Sequence, residues 1–179
     1  MKHNREFEIA WQGLKPGLHT YVYDLNDRFM KDREVDESFS DWNAQITLLF
    51  DKHENFFMLH FDVDGFVTAP CDRCGDDFKL RLWDEFDLII KLTGEDTGEI
   101  QDEDDVVFIP RSETVIDISN WLYEFLLLSV PLQRIHPDNE DGTSGCNPDA
   151  LDLLEKLSEP PEPVKNPLWK GLDSISGAN

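Results

Sequence analysis

Basic residues are scarce in this chain of 179 residues: 16 Lys and Arg stand against 38 Asp and Glu, a formal net charge of −22. Such a balance repels phosphate backbones and anionic lipid at long range, so direct binding of bare nucleic acid is not expected. The same charge attracts basic surfaces, or serves solubility alone. Long apolar runs are missing too. None reaches the roughly 18 residues that a membrane-spanning helix needs, and no membrane association is expected. The start, Met1-Lys2-His3-Asn4-Arg5-Glu6, leads into an alternating pattern rather than an apolar signal core, which points to the cytoplasm. Cysteines number 3, too few and too odd for a disulfide framework, so they read as thiols or ligands in a reducing compartment.

Catalytic signatures are also absent. The chain has no glycine-rich phosphate loop, no nucleophile elbow and no HExxH pattern. Its Ser, His and Asp residues follow no local order that marks a triad. Asp62 and Asp64 could be paired carboxylates, but alternate positions on a strand's outer face more often serve solubility. The acidic run over residues 95–105 lacks the ligand spacing of an EF-hand and reads as a solvated or partner-facing segment. No catalytic and no cofactor-binding residue is expected, and the chain does not read as an enzyme.

What is present is ample core material: 40% hydrophobic and 11% aromatic residues. Phe7, Ile9 and Trp11 share one parity, as on a half-buried strand, and residues 13–17 form a turn. Strands are predicted over 20–23 and 44–50, with a short helix or loop over 26–35 between them and a polar hairpin loop at 51–55. Phe57, Leu59, Phe61 and Val63 then alternate with polar residues, Gly65 suggests a bulge or tight bend, and the pattern runs on to Pro70. Phe78, Leu80 and Leu82, then Phe86, Leu88, Ile90 and Leu92, alternate in the same way, and 106–109 is a short strand. Helical spacing follows in Ile118, Trp121, Leu122, Phe125 and Leu128, with Asp117 or Ser119 as cap and Pro131 beyond the end. A second helix opens at Asn147 and Pro148, with Ala150, Leu151, Leu154 and Leu157 as its stripe. The expected fold class is α+β: an antiparallel β-meander or partly open barrel with two C-terminal helices. Residues 1–158 form one domain, and 159–179 a Pro-rich linker and a tail that docks through Leu168, Trp169 and Leu172.

The sharpest local signal is Cys71-Asp72-Arg73-Cys74-Gly75. Two thiolates two residues apart can grip one zinc ion from a tight turn, and a following glycine lets the chain wrap. Such a pair is half a tetrahedral site. His136 and Cys146, in one polar loop far along the chain, are the candidates to complete it. Closing the site would pin the helical end to the β-meander and feed metal-binding energy into folding. Two other readings stay open: thiols that bind nothing, and a redox pair, although redox pairs usually open a helix within a βαβ unit.

Taken together, these landmarks resemble the YceD family, the large ribosomal RNA subunit accumulation proteins. The resemblance rests on Leu14-Lys15-Pro16-Gly17, on residues 67–74 with Phe78, and on the acidic loop. It continues in Ile116-Asp117-Ile118, residues 124–131, His136, Cys146 and the closing Asn166-Pro167-Leu168-Trp169. Many members carry a denser cysteine cluster in the second half, where this chain has Cys146 alone. The resemblance implies a role in accumulating large-subunit ribosomal RNA. With the acidic surface, it implies as partner a basic ribosomal protein or the large-subunit precursor. The alternative is a cytoplasmic thiol redox or zinc-handling protein built on Cys71 and Cys74.

Overall fold

A computed structural model describes residues 5–31, 33, 35–94 and 106–158. The acidic run 95–105 and the tail with Leu168, Trp169 and Leu172 lie outside the described residues. The architecture is α+β. Five strands make one open sheet in the order β2-β3-β4-β5-β6. They are β2 (Gly17–Asn26), β3 (Ser40–Lys52), β4 (Phe56–Pro70), β5 (Asp77–Thr93) and β6 (Val106–Pro110), and β1 (Glu8–Ile9) pairs separately with β7 (Ile116–Asp117). The helices are α1 (Asp27–Met30), α2 (Ser119–Leu128) and α3 (Pro148–Ser158). The sheet does not close, so the meander and not the barrel is what forms.

Strands β2 to β5 pair antiparallel in chain order. Strand β6 breaks the pattern by lying parallel to β5. Parallel pairing needs a connection of about a dozen residues to bring the chain back, and residues 94–105 supply that length. The two alternating runs on either side of Trp83 form one strand, because Leu80, Leu82, Phe86, Leu88 and Ile90 keep a single parity throughout. No bulge occurs at Gly65. The strand runs straight through it, and a Cβ there would overlap the Cα of its cross-strand partner Ala44. The irregularity sits opposite, between Ser40 and Asn43 of β3.

One sheet face carries the core. Phe50, Phe57, Phe61, Ile46, Leu48, Leu82 and Ile90 are fully buried there. Across them lies α2, whose Phe125 ring stacks on Phe86 at 4.5 Å and meets Phe61 edge-on at 4.9 Å. The buried stripe of α2 differs from the expected one: Ile118, Leu122 and Leu126 are buried, while Trp121 and Phe125 are half-buried and Leu128 is exposed. Spacing of four residues keeps that stripe on one side of the helix. Neither expected cap holds that position: the N-cap is Ile118, which offers no side-chain bond, Ser119 is the first helical residue, and the Asp117 carboxylate accepts from the Ser119 N–H at 2.9 Å from just before the cap. At the N-terminus, Phe7, Ile9 and Trp11 are all buried, but the backbone makes two 3-10 turns around a two-residue strand. Their alternation reports burial, and not a strand.

Helix α3 is different. None of its residues is buried, and Leu153, Leu154 and Leu157 are exposed. Of the expected stripe, Ala150 and Leu151 are half-buried, and Leu154 and Leu157 are left exposed.

Candidate metal centre

The turn between β4 and β5 holds the first two candidate ligands. The Cys71 N–H donates to the Asp76 carbonyl at 3.0 Å, and the Gly75 N–H donates to the Cys71 carbonyl at 2.9 Å. These bonds close residues 71–76 into a knuckle. Gly75 takes φ +81°, a backbone conformation that a glycine adopts without strain. The chain wraps here as the glycine after the second cysteine implies.

The other two candidates arrive from residues 129–147. Arg134 docks this segment on the knuckle through four bonds with Asp72, the longest from its Nε at 3.4 Å. The Asp72 N–H donates to the Arg134 carbonyl at 2.7 Å, the Arg134 N–H donates back to the Asp72 carboxylate at 2.7 Å, and the guanidinium reaches the other oxygen at 2.8 Å. This guanidinium and its N–H hold the Asp72 carboxyl below the usual carboxylate range. Two residues on, the His136 ring packs on Phe78 at 4.5 Å. The polar loop then turns back on itself: the Asn139 N–H donates to the Thr143 carbonyl at 2.8 Å, and the Asn139 amide donates to the Ser144 carbonyl at 3.3 Å. That closure brings Cys146 beside His136. Next, Asn147 caps α3 by accepting from the Asp149 N–H at 3.0 Å, and its amide donates to Asp76 of the knuckle at 2.9 Å.

The result is a cluster of Cys71, Cys74, His136 and Cys146, whose ligand atoms all lie within 4.8 Å of one another. The Cys71 and Cys146 sulfurs are 3.8 Å apart, and the Cys74 sulfur lies 3.5 Å from His136 Nδ1. Ligands at zinc distances from a tetrahedral centre stand roughly 3.5–3.8 Å apart. The donor set, three thiols and one imidazole, is a standard one for structural zinc. Cys71 and Cys146 are buried, while Cys74 and His136 are half-buried.

The thiols differ in acidity. Burial pushes Cys71 up, but hydrogen bonds from the Cys74, Arg73 and His136 backbone and from the His136 ring outweigh it and bring the thiol down to about 6. Burial pushes Cys146 up, and the neighbouring Cys71 adds to the rise. One thiol is therefore poised as a thiolate ligand, and the other as the group that must release its proton on metal binding.

All four residues singled out from the sequence meet. Arg134 and Asp76 were missed there. The available signals were an Asp inside the Cys-x-x-Cys turn and a lone cation two residues before His136. The carboxylates Asp62 and Asp64 lie on the exposed sheet face, where Asp64 pairs with Arg81.

No helix among the described residues is long and apolar enough to cross a membrane. Comparisons with curated proteins and with solved structures give no match. A family model described as large ribosomal RNA subunit accumulation protein YceD matches residues 59–176, well over half of the chain, from β4 through the whole cysteine cluster. The chain belongs to the YceD family.

Proposed function

We propose that this chain is a cytoplasmic ribosome-assembly factor that supports accumulation of large-subunit ribosomal RNA by binding, without turning over a substrate. Its direct partner is a basic ribosomal protein of the large subunit, free or on the precursor particle. The family match carries this reading. The charge of −22 favours a basic protein as partner over bare RNA. Residues 1–158 act as the folded unit, and 159–179 as a Pro-rich linker with a docking tail.

Cys71, Cys74, His136 and Cys146 hold a structural zinc in this reading. A bound zinc would supply a fixed tetrahedral node, which ties residues 129–158 to the β4–β5 turn. The support is the ligand spacing and the donor set. A redox role for Cys71 with Cys74 has less support. The turn opens no helix, and the Cys71 sulfur also lies 3.8 Å from that of Cys146, outside the pair.

The test is recovery of the tagged full chain from its own cells in mild salt, with mass spectrometry, RNA sequencing and metal analysis. Large-subunit proteins or precursor rRNA should be enriched and should fall away at high salt, because the attraction is largely electrostatic. Zinc should accompany the chain. Binding that is unchanged in high salt, or no ribosomal component above control, would overturn the assembly reading. Protein without metal but with reversibly oxidised cysteines would transfer the case to the redox reading.

A further inference from the structure

The sheet has a second face, and no described element packs on it. In an antiparallel sheet with one wet side, that side is normally polar throughout. Here it is divided. One cross-strand row carries Leu18, Met58, Ile89 and Val106, interrupted only by Asp51 on β3. Leu18 is 64% exposed and Met58 49%. The rows beyond it on β4 and β5 each carry one or two acids: Asp87 stands opposite His60, Glu85 opposite Asp62, and Asp64 opposite the exposed Trp83. All four carboxylates are exposed.

The Asp62 and Glu85 pair is the informative one. These residues are direct cross-strand partners, and like charges in that position repel. Nothing in the packing of the sheet requires two acids there, since both side chains point to solvent. Some of the nearby charge is engaged within the chain: Arg81 pairs with Asp64, and the His60 ring is hydrogen-bonded to Asp87. An incoming cation would relieve the repulsion between Asp62 and Glu85.

We propose that this outer sheet face is the docking surface for the partner, and that the occupant is an extended, Lys/Arg-rich protein segment carrying an apolar side chain at one end. The proposal rests on the reading of the function given above and locates its contact. Rows along a strand are about 6.5–7 Å apart, the same spacing as alternate residues of an extended chain. A segment laid along β4 and β5 therefore sets one residue on the Met58 and Ile89 row and its next same-side residues over Asp87, then Asp62 and Glu85. Over these rows phosphate would meet Asp62, Glu85 and Asp87, with the cations Lys79 and Arg81 lying further along β5, so a basic segment suits this part of the face better than RNA.

The experiment immobilises the full chain at low salt and offers it the proteins released by high salt from purified large subunits of its own cells. Retained proteins are identified by mass spectrometry, and each is then titrated singly. The unmutated chain should retain at least one basic protein. Asp62→Lys with Glu85→Lys, and separately Met58→Asp, should each weaken that binding about tenfold or more. Both changes are on exposed positions, and thermal melting with circular dichroism checks that the fold is kept. Asp62→Asn with Glu85→Gln should give an intermediate loss. Full binding by both the lysine and the Met58→Asp variants overturns this surface while leaving the assembly reading in place. Loss confined to Leu154→Asp with Leu157→Asp overturns it too and assigns the contact to α3. Retention of nothing by the unmutated chain overturns the assembly reading and this surface with it, whereas retention of ribosomal RNA alone, when that is offered, overturns the basic-protein partner and this surface and leaves the assembly reading in place.

Discussion

The sheet with α2 and the segment from residue 129 to the end of α3 are held together by different means. The first buries aromatic and aliphatic side chains, from Phe7 to Leu126, against one sheet face. The second contributes only Ser129 and Cys146 to the buried residues of the described chain. Its attachment is made by Asp72 with Arg134, Asp76 with Asn147, Phe78 with His136, and the cysteine cluster. Burial is non-directional and shared by many neighbours, so losing one contact leaves the others. In the proposed zinc site, ligand geometry is directional and would rest on four atoms, so losing one would release the rest. Helix α3 sharpens the point. At 11 residues with no buried side chain, it is too short to be stable alone in water, and its cap and the cluster before it fix where it starts.

The largest effect is expected in the core. Phe61→Ala removes a fully buried ring that meets Phe125, and should cost about 3–5 kcal/mol. Chemical denaturation should show sheet and cluster lost together, since the knuckle is the turn of the β4–β5 hairpin. Survival of metal binding after the sheet has melted would mean that the second region folds independently.

Metal removal, or Cys146→Ser, should act the other way. Amide exchange over residues 129–158 should accelerate about 100-fold or more, while the strands keep their protection. Uniform loss across the chain would erase the distinction between the regions. Reloading with zinc near neutral pH should release protons, Cys146 foremost, because its thiol lies above the ordinary value and is protonated without metal. Cys71, brought down to about 6, is already a thiolate there and gains a proton only as the pH falls through that value. Zinc affinity should therefore weaken with acidification, and potentiometric titration of zinc uptake in weak buffer measures both effects.

A smaller change is expected from Arg134→Ala, which leaves all four ligands in place and removes the clamp on Asp72. Zinc affinity should fall about 10–100-fold, measured by competition with a chelator. An unchanged affinity would show that the knuckle holds its ligands without help from the second region. The smallest effect belongs to Leu154→Asp with Leu157→Asp, within about 0.5 kcal/mol of the unmutated stability. A larger loss would reveal a surface covering α3 that the described residues do not include.

Much of the sheet could be read from alternation, because a strand with one buried face writes its burial into every second residue. The four cluster residues were legible for a chemical reason: thiols and imidazoles are few in this chain, so the candidates were few. The direction of β6 was not legible, since a five-residue apolar run pairs equally well either way. The stripe of α2 was misjudged by one position because Leu126, Leu127 and Leu128 are interchangeable in hydrophobicity, and only contact with the sheet selects Leu126. The stripe of α3 was read correctly as a pattern, but amphipathicity states what a helix offers and not what covers it.

By itself, the sequence determined the fold class, the alternating runs of the main sheet, the start of α3 at Asn147, the acidic character and the identity of the four ligand candidates. These depend on local chemistry and short periodicities. Tertiary structure alone decided that β6 runs parallel, that Asp72 meets Arg134, that Asp62 faces Glu85 across two strands, and that Cys71 lies 3.8 Å from Cys146. Each of these is a contact between distant parts of the chain, set by the register and packing of the whole sheet rather than by any residue's neighbours in sequence.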